Sequence, residues 1–353
     1  MVDRTVKKKL GFFQNSGARI EGYSSLLLVG LALLTFIASM AGAFPAGPIE
    51  GWYATTIFPW LSLLAGRVAD AIPFSWLDLL VPGGLALVVA AWKKKRLRWI
   101  LSGAAVAYLL FFWTWGINYH RMPLVSKLPF DREKTTPENI GQFAQKAAAR
   151  LNDLYDAGLG VAVDPERIRN EASRRAARVV TVIDGTSWQA ASKVKTSFVV
   201  NPWFRIAGVD GMFNPLGHEP VVSKTLLDIE QPFVIAHEFA HVRGYPAEGD
   251  ANMIALLATV MSDDLSFQYS GWLHLWLYLR SRELDELLDE GPRTDLQRIF
   301  ERARTERIQW ISNVQTAVLD LFLKANSVEQ GVRSYSEIVK LAAGTEENWE
   351  RFR

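Results

Sequence analysis

The sequence has no cysteine in 353 residues. That absence excludes a disulfide scaffold, an iron–sulfur site, a cysteine-held zinc site and a cysteine nucleophile. It leaves the compartment open, because a chain without thiols is stable on either side of a membrane. Net charge is equally scarce: 39 Lys+Arg against 37 Asp+Glu leave +2. A nucleic-acid-binding domain is strongly basic, so no nucleic-acid partner is expected. Histidine is rare, at five residues, and no internal repeat or low-complexity tract is present.

Long charge-free runs, by contrast, are present. The mean hydropathy of +0.06 averages two unlike parts. Residues 23–118 are very apolar, and residues 119–353 read as an ordinary soluble domain. Tyr23–Phe44 is a 22-residue run without a charge. About 20 apolar residues cross a ~30 Å hydrocarbon layer. A cleaved signal peptide has an apolar region of only about 7–15 residues, so a retained span is expected. Ser75–Trp92 and Trp99–Asn118 are the second and third candidates. Between them Lys93–Arg98 holds five basic residues in six. The N-terminal arm, 1–22, carries Arg4, Lys7, Lys8, Lys9 and Arg19, whereas the 45–74 connection has only Arg67. Positive-inside counting places the arm and 93–98 in the cytoplasm and everything after Asn118 outside it. The segment around 52–72 is apolar but holds Arg67, Asp70 and prolines. It reads as an interfacial or re-entrant helix, with a fourth span as the rival that breaks the charge pattern.

The remaining 235 residues suffice for one domain with a substantial core. Thr136-Pro137-Glu138 predicts a helix to about Asp156, and Asp164-Pro165-Glu166 a second to about Ile183. Lys193–Val200 predicts a strand. Residues 201–225 predict turns and a second short strand, and helices dominate from Gln231 onward. The expected fold class is thus an α-helical membrane anchor with three transmembrane helices, plus a mainly α, α+β soluble domain.

The chemistry concentrates at Gln231–Met261, where His237-Glu238-Phe239-Ala240-His241 reads HExxH. Chance produces about 0.007 such matches in a chain of this composition. Pro232 suits a helix start and Gly244 a left-handed stop, so the motif sits mid-helix. His237 and His241 then share a face. Two such imidazoles bind one Zn²⁺, and Glu238 beside the first is angled to act as general base on a water. The rival reading is a solvated helix face with an accidental histidine pair. A catalytic zinc wants a third protein ligand. Glu248 lies seven residues after His241, at the start of the next helix, with Asn252 four residues further on the same face. This resembles the ExxxD element of gluzincin metallopeptidases, in which the Glu binds zinc and the Asp orients a ligand histidine. Asn252 stands where that pattern has Asp, keeping a hydrogen-bonding group in the second shell. Asp250 is the competing third ligand, and Glu248 also reads as a first-turn acid complementing a helix dipole. The metzincin pattern fails, since Ala247 occupies its third-ligand position.

The chain also resembles a bacterial membrane-protein family of unknown function with an HExxH domain. The resemblance rests on Tyr53–Pro59 (YATTIFP), Pro73–Leu80 (PFSWLDLL), Trp115–Arg121 (WGINYHR), Ala236–Asn252 and Leu323–Tyr335 (LKANSVEQGVRSY). It covers most of residues 50–340 and departs at Asp250, where the family usually has Glu. It implies a bacterial plasma membrane protein and a zinc metallopeptidase activity that is itself inferred from HExxH.

Other candidates are weaker. His218, Tyr269 and Tyr335 are candidate oxyanion stabilisers, as is Arg333, with ordinary structural roles as the alternative. His274 reads as a core histidine, His120 as interfacial, and Asp263-Asp264 as caps or solvated acids. With HExxH and the gluzincin resemblance, the mainly α, α+β soluble domain is expected to be zincin-like, and the expected function is a membrane-anchored zinc metallopeptidase. Its catalytic domain lies outside the cytoplasm, it carries one Zn²⁺ per chain, and it cleaves peptide or protein substrates that pair along an edge within 213–225. The alternative is a non-catalytic membrane assembly factor or sensor with a closed, four-coordinate zinc site. An intramembrane protease is disfavoured: the apolar run after the motif, Ala251–Met261, is only 11 residues, too short to cross a bilayer.

Overall fold

The computed structural model describes residues 23–94, 96–157, 164–188, 190, 193–326 and 337–353. The basic arm 1–22, Arg333 and Tyr335 therefore lie outside the described residues. The chain is mainly helical. Helix α1 (Tyr23–Met40) ends in a turn at Gly42, whose φ of +71° suits glycine. A π-helix, Ile49–Ile57, runs directly into α2 (Phe58–Asp70). Helices α3 (Leu77–Lys93) and α4 (Leu97–Thr114) pack against each other as a hairpin. Among the described residues, α1 and α4 are long and apolar enough to cross a membrane. Helix α3 covers the second expected span with 17 residues, Pro82 inside it, and an exposed apolar surface including Leu85 and Leu87. Helix α4 stops four residues before the expected Asn118. There a 3₁₀ turn, Gly116–His120, takes over, closed by the Asn118 amide on Trp115 O at 2.8 Å.

The 52–72 segment is the second half of the π-helix together with α2. One side is buried through Tyr53, Phe58, Ser62 and Ala69, while Trp60, Leu64 and Val68 are exposed on the other. Helices α5 (Pro137–Asp156) and α6 (Pro165–Asp184) start as their capping residues predict. The Thr136 hydroxyl accepts from Asn139 N, and the Asp164 carboxylate accepts from Glu166 N. Gly185, at φ +66°, ends α6.

The strand expected over 193–200 does not form. Lys195 makes a single parallel bridge to Val221, residues 198–200 turn, and α7 (Asn201–Ala207) begins. The cause is local capture of amides. The Asp78 carboxylate accepts from the amides of Phe198 and Val199, and Ser197 Oγ accepts from Val200 N, so the backbone bonds to side chains instead of a ladder. The second expected strand is a hairpin, β1 (Gly211–Asn214) antiparallel to β2 (Glu219–Val222), in register Gly211 to Val222.

The centre of the molecule is α8 (Gln231–Val242). It packs on α6, on the hairpin and on the next two helices, α9 (Glu248–Val260) and α10 (Leu265–Leu279). Ten of the 12 residues of α8 and 10 of the 13 of α9 are buried, as core helices apolar on all sides should be. Helices α11 (Arg282–Asp285), α12 (Glu290–Thr305), α13 (Gln309–Ala325) and α14 (Glu337–Thr345) follow, and a 3₁₀ helix, Glu346–Phe352, comes after α14. The core does not break at residue 118. Tyr53, Phe58, Phe112 and Trp115 belong to the same apolar cluster as α6, α8, α9 and α10.

Candidate metal centre

Helix α8 carries His237 and His241 one turn apart, and a tight reversal returns the chain to Glu248. Gly244 N bonds to His241 O and Tyr245 N to Ala240 O, the two bonds of a Schellman stop. Gly244 sits at φ +79°. A Cβ there would stand 2.7 Å from the Phe58 ring, so glycine is required twice over. The reversal sets Glu248 at the first position of α9, facing the histidines.

The three side chains converge. His237 Nε2 lies 3.1 Å from His241 Nε2 and 3.1 Å from Glu248 Oε2, and His241 Nε2 lies 3.7 Å from the same oxygen. Donors held about 2.0–2.1 Å from one tetrahedral zinc ion stand roughly 3.3 Å apart. The donor types and spacings therefore fit zinc. His241 Nδ1 donates to Tyr245 O at 2.8 Å, which leaves Nε2 as the ring atom that could bind an ion. Trp115 Nε1 donates to His241 O at 2.9 Å, holding the last turn of α8 from the α4 side.

The three side chains are electrostatically coupled. Burial works against charge on Glu248, but the two histidines outweigh it and hold its carboxyl well below the usual range. Burial alone would lower the His241 pKa, yet the Glu248 carboxylate raises it to about 9. Glu238 is the buried neighbour. Desolvation pushes its pKa up to about 7, and its Oε2 has no hydrogen-bond partner among the described residues. An unpartnered buried carboxylate oxygen beside this cluster is costly unless a water or substrate group meets it. Gly211 of β1 passes close by: a Cβ there would stand 2.5 Å from Glu238 Oε1.

A cleft of about 670 Å³ opens on these residues. Its walls include β1, the motif residues, Trp115 and Tyr119 after α4, and the Ser312–Phe322 part of α13. The other sequence candidates fall elsewhere. Asp250 is not in the cluster; its carboxylate accepts from Leu124 N at 3.3 Å. Asn252 lines the cleft, but its amide reaches Tyr278 Oη at 3.4 Å and not a ligand histidine. His218, at φ +50°, is buried with Nε2 2.6 Å from Ser62 Oγ, fastening the hairpin turn to α2; burial lowers its pKa to about 4. It does not line the cleft. The Tyr269 hydroxyl donates to Asp295 at 2.9 Å, also away from the cleft. His274 stacks on Phe233 at 4.3 Å and borders the cleft. His120 Nε2 meets Ser39 Oγ at 2.9 Å, next to α1. Asp264 caps α10 through Ser266 N.

Three participants were not singled out from sequence. Tyr278 and Tyr119 both line the cleft, and Gly211 bounds the Glu238 carboxylate. Tyr278 had no motif to mark it. Tyr119 lies inside the WGINYHR stretch, which signalled importance without a role.

Fold and site thus define a class: a mainly helical protein with apolar anchor-type helices and a buried His–His–Glu cluster built on HExxH. The chain belongs to the family described as Protein of unknown function (DUF3810), whose model matches residues 53–343. No curated protein and no solved structure matches it.

Proposed function

We propose that the chain is a membrane-anchored zinc metallopeptidase with a gluzincin-like ligand set. The observation that carries this reading is the convergence of His237, His241 and Glu248 donor atoms to within 4.8 Å of one another, with the unpartnered Glu238 Oε2 buried beside them. His237, His241 and Glu248 would hold the ion. Bound zinc supplies a Lewis acid toward a peptide carbonyl and lowers the pKa of a water. Glu238 accepts the proton of the attacking water and returns it to the leaving amine. Among the described residues β1 pairs only with β2, so the cleft-side edge of Gly211–Asn214 is free to take a substrate backbone as an added strand. The Tyr278 phenol is the cleft's hydroxyl donor for a developing oxyanion.

Helices α1, α3 and α4 are read as three spans. The 17 residues of α3 reach the lower end of the length that crosses a bilayer. Lys93, Lys94, Arg96 and Arg98 then lie at the cytoplasmic end of the α3–α4 hairpin, and the cleft lies outside the cytoplasm, at the bacterial plasma membrane that the family resemblance implies. The test uses purified full-length protein and an internally quenched peptide library. Wild type should carry one zinc per chain and hydrolyse peptides. Glu238→Gln should keep the zinc and lose about 10²–10⁴ in rate. Hydrolysis by Glu238→Gln at the wild-type rate would refute the mechanism.

A further inference from the structure

Helix α13 is amphipathic the wrong way round for a surface helix. Its inner face, Ser312, Gln315, Thr316 and Leu319, lines the cleft and is mostly polar. Its outer face, Trp310, Val314, Val318 and Leu321, is apolar and exposed at 68%, 52%, 59% and 70%. These four recur at helical spacing along one stripe. A soluble protein turns such a stripe inward; here the other side is already committed to the cleft.

Two tethers fix where the stripe sits. At its C-terminal end Phe322 packs on Phe111, 5.9 Å between ring centroids, three residues before α4 ends. On the other side α13 packs on α7, and the turn before α7 is bound to Asp78 in the first turn of α3. That turn exposes Phe198, at 70%, and α7 exposes Trp203. The start of α3 and the end of α4 are the same end of one helical hairpin. The apolar surface of α13 and α7 is therefore fixed, from two sides, at the level where that hairpin leaves the hydrocarbon.

We propose that α13 is an interfacial helix, its outer stripe seated in the headgroup–acyl boundary of the bilayer and its inner face forming the membrane-side wall of the cleft. The occupant of the stripe is lipid. The proposal rests on the reading of α3 and α4 as spans. A helix is about 10 Å across, so the cleft lies one helix width from the membrane surface.

The cysteine-free chain permits a direct test. Single-cysteine variants Val314→Cys, Val318→Cys and Leu321→Cys are spin-labelled in the full chain and placed in lipid nanodiscs. Reference sites are Leu87→Cys in α3, Val106→Cys in α4 and the exposed Glu286→Cys. Collision with oxygen and with a water-soluble nickel chelate is measured at each. The expected result is oxygen access at 314, 318 and 321 close to that of the span sites, with nickel access several-fold below that of 286, at about 5–10 Å depth. Nickel access equal to that of 286 overturns the proposal while leaving lipid-exposed spans intact. Exclusion of both agents, the mark of a covering polypeptide, overturns it as well. Nickel access at 87 and 106 overturns the spans and the proposal together.

Discussion

Replacing Gly211 by alanine tests the site at one atom. A Cβ at Gly211 would stand 2.5 Å from Glu238 Oε1, 3.0 Å from its Cδ and 3.1 Å from its Cγ. Ordinary contact begins at 3.4 Å, so the oxygen must retreat by about 0.9 Å (3.4 − 2.5). Glu238 is only 3% exposed and has little room to comply. A general base misplaced by about 1 Å costs on the order of 10²-fold in rate, which is about 2.7 kcal/mol at 1.36 kcal/mol per decade. The fold should survive, because no positive φ is needed at Gly211 and a strand gains rather than loses from alanine. The assay is kcat/KM on a quenched peptide, with zinc content measured on the same preparation. Gly211→Ala should lose about 100-fold with its zinc retained. In a Glu238→Gln background the same change should do nothing further, since both remove one group. Activity within about threefold of wild type would refute the assigned contact. Loss of zinc in step with activity would move the lesion to the ligands and refute the role of Glu238.

Glu248→Ala should abolish stoichiometric zinc, whereas Asp250→Asn should keep it. Metal analysis of the pair decides the third ligand, and the reverse pattern would favour Asp250. Tyr278→Phe should leave zinc unchanged and lower kcat by about 10²-fold if its hydroxyl meets the oxyanion; an unchanged kcat removes it from the mechanism. Acid should destabilise the fold through His218. Its pKa falls by burial from 6.5 to about 4, so the unfolded chain binds the extra proton between those values. Stability is then complete above pH 6.5 and is lost as pH falls toward 4, by up to about 3 kcal/mol from this group. Thermal denaturation from pH 8 to 4 should show a flatter profile in His218→Gln than in wild type; equal slopes would show that His218 is not the titrating group.

What was legible in the sequence was local. Helix α5 could be read from Thr136-Pro137 and α6 from Asp164-Pro165, because a cap needs only a few neighbouring residues. HExxH followed by Gly244 and Glu248 was legible for the same reason: a helix, a reversal and a helix start fix three donors within 12 residues. The failures were non-local. Lys193–Val200 has strand composition, but Asp78, more than 110 residues earlier, captures its amides. His218 looked like a loop histidine near a substrate edge; only the distant Ser62 shows that it is a fastener. Tyr278 reaches the cleft by the packing of α10 beside α9, which no short pattern encodes.

The non-local contacts also decide what the apolar N-terminal part is for. A simple tether would join the soluble part through a linker and share no core with it. Here Arg121, just after α4, donates to Gly244 O at 3.0 Å and pairs with Glu50 at 2.7 Å and Asp184 at 2.9 Å. Lys127 and the Tyr245 hydroxyl join the same buried cluster, and the Tyr245 carbonyl orients His241. Removing one partner from a buried ion cluster costs about 3–5 kcal/mol, because the charges left behind stay desolvated. The pairing therefore locks the reversal between the two ligand-bearing helices to the π-helix and to the chain leaving α4. Phe58 of α2 closes the space over Gly244, and Trp115 holds the His241 carbonyl. Beyond its own Schellman bonds, the reversal is thus supported by the apolar part and by residues tied to it. A fragment beginning at residue 119 would keep His237, His241 and Glu248 and lose the Trp115, Phe58 and Glu50 contacts that hold them in register, so the apolar N-terminal part belongs to the scaffold of the His–His–Glu cluster.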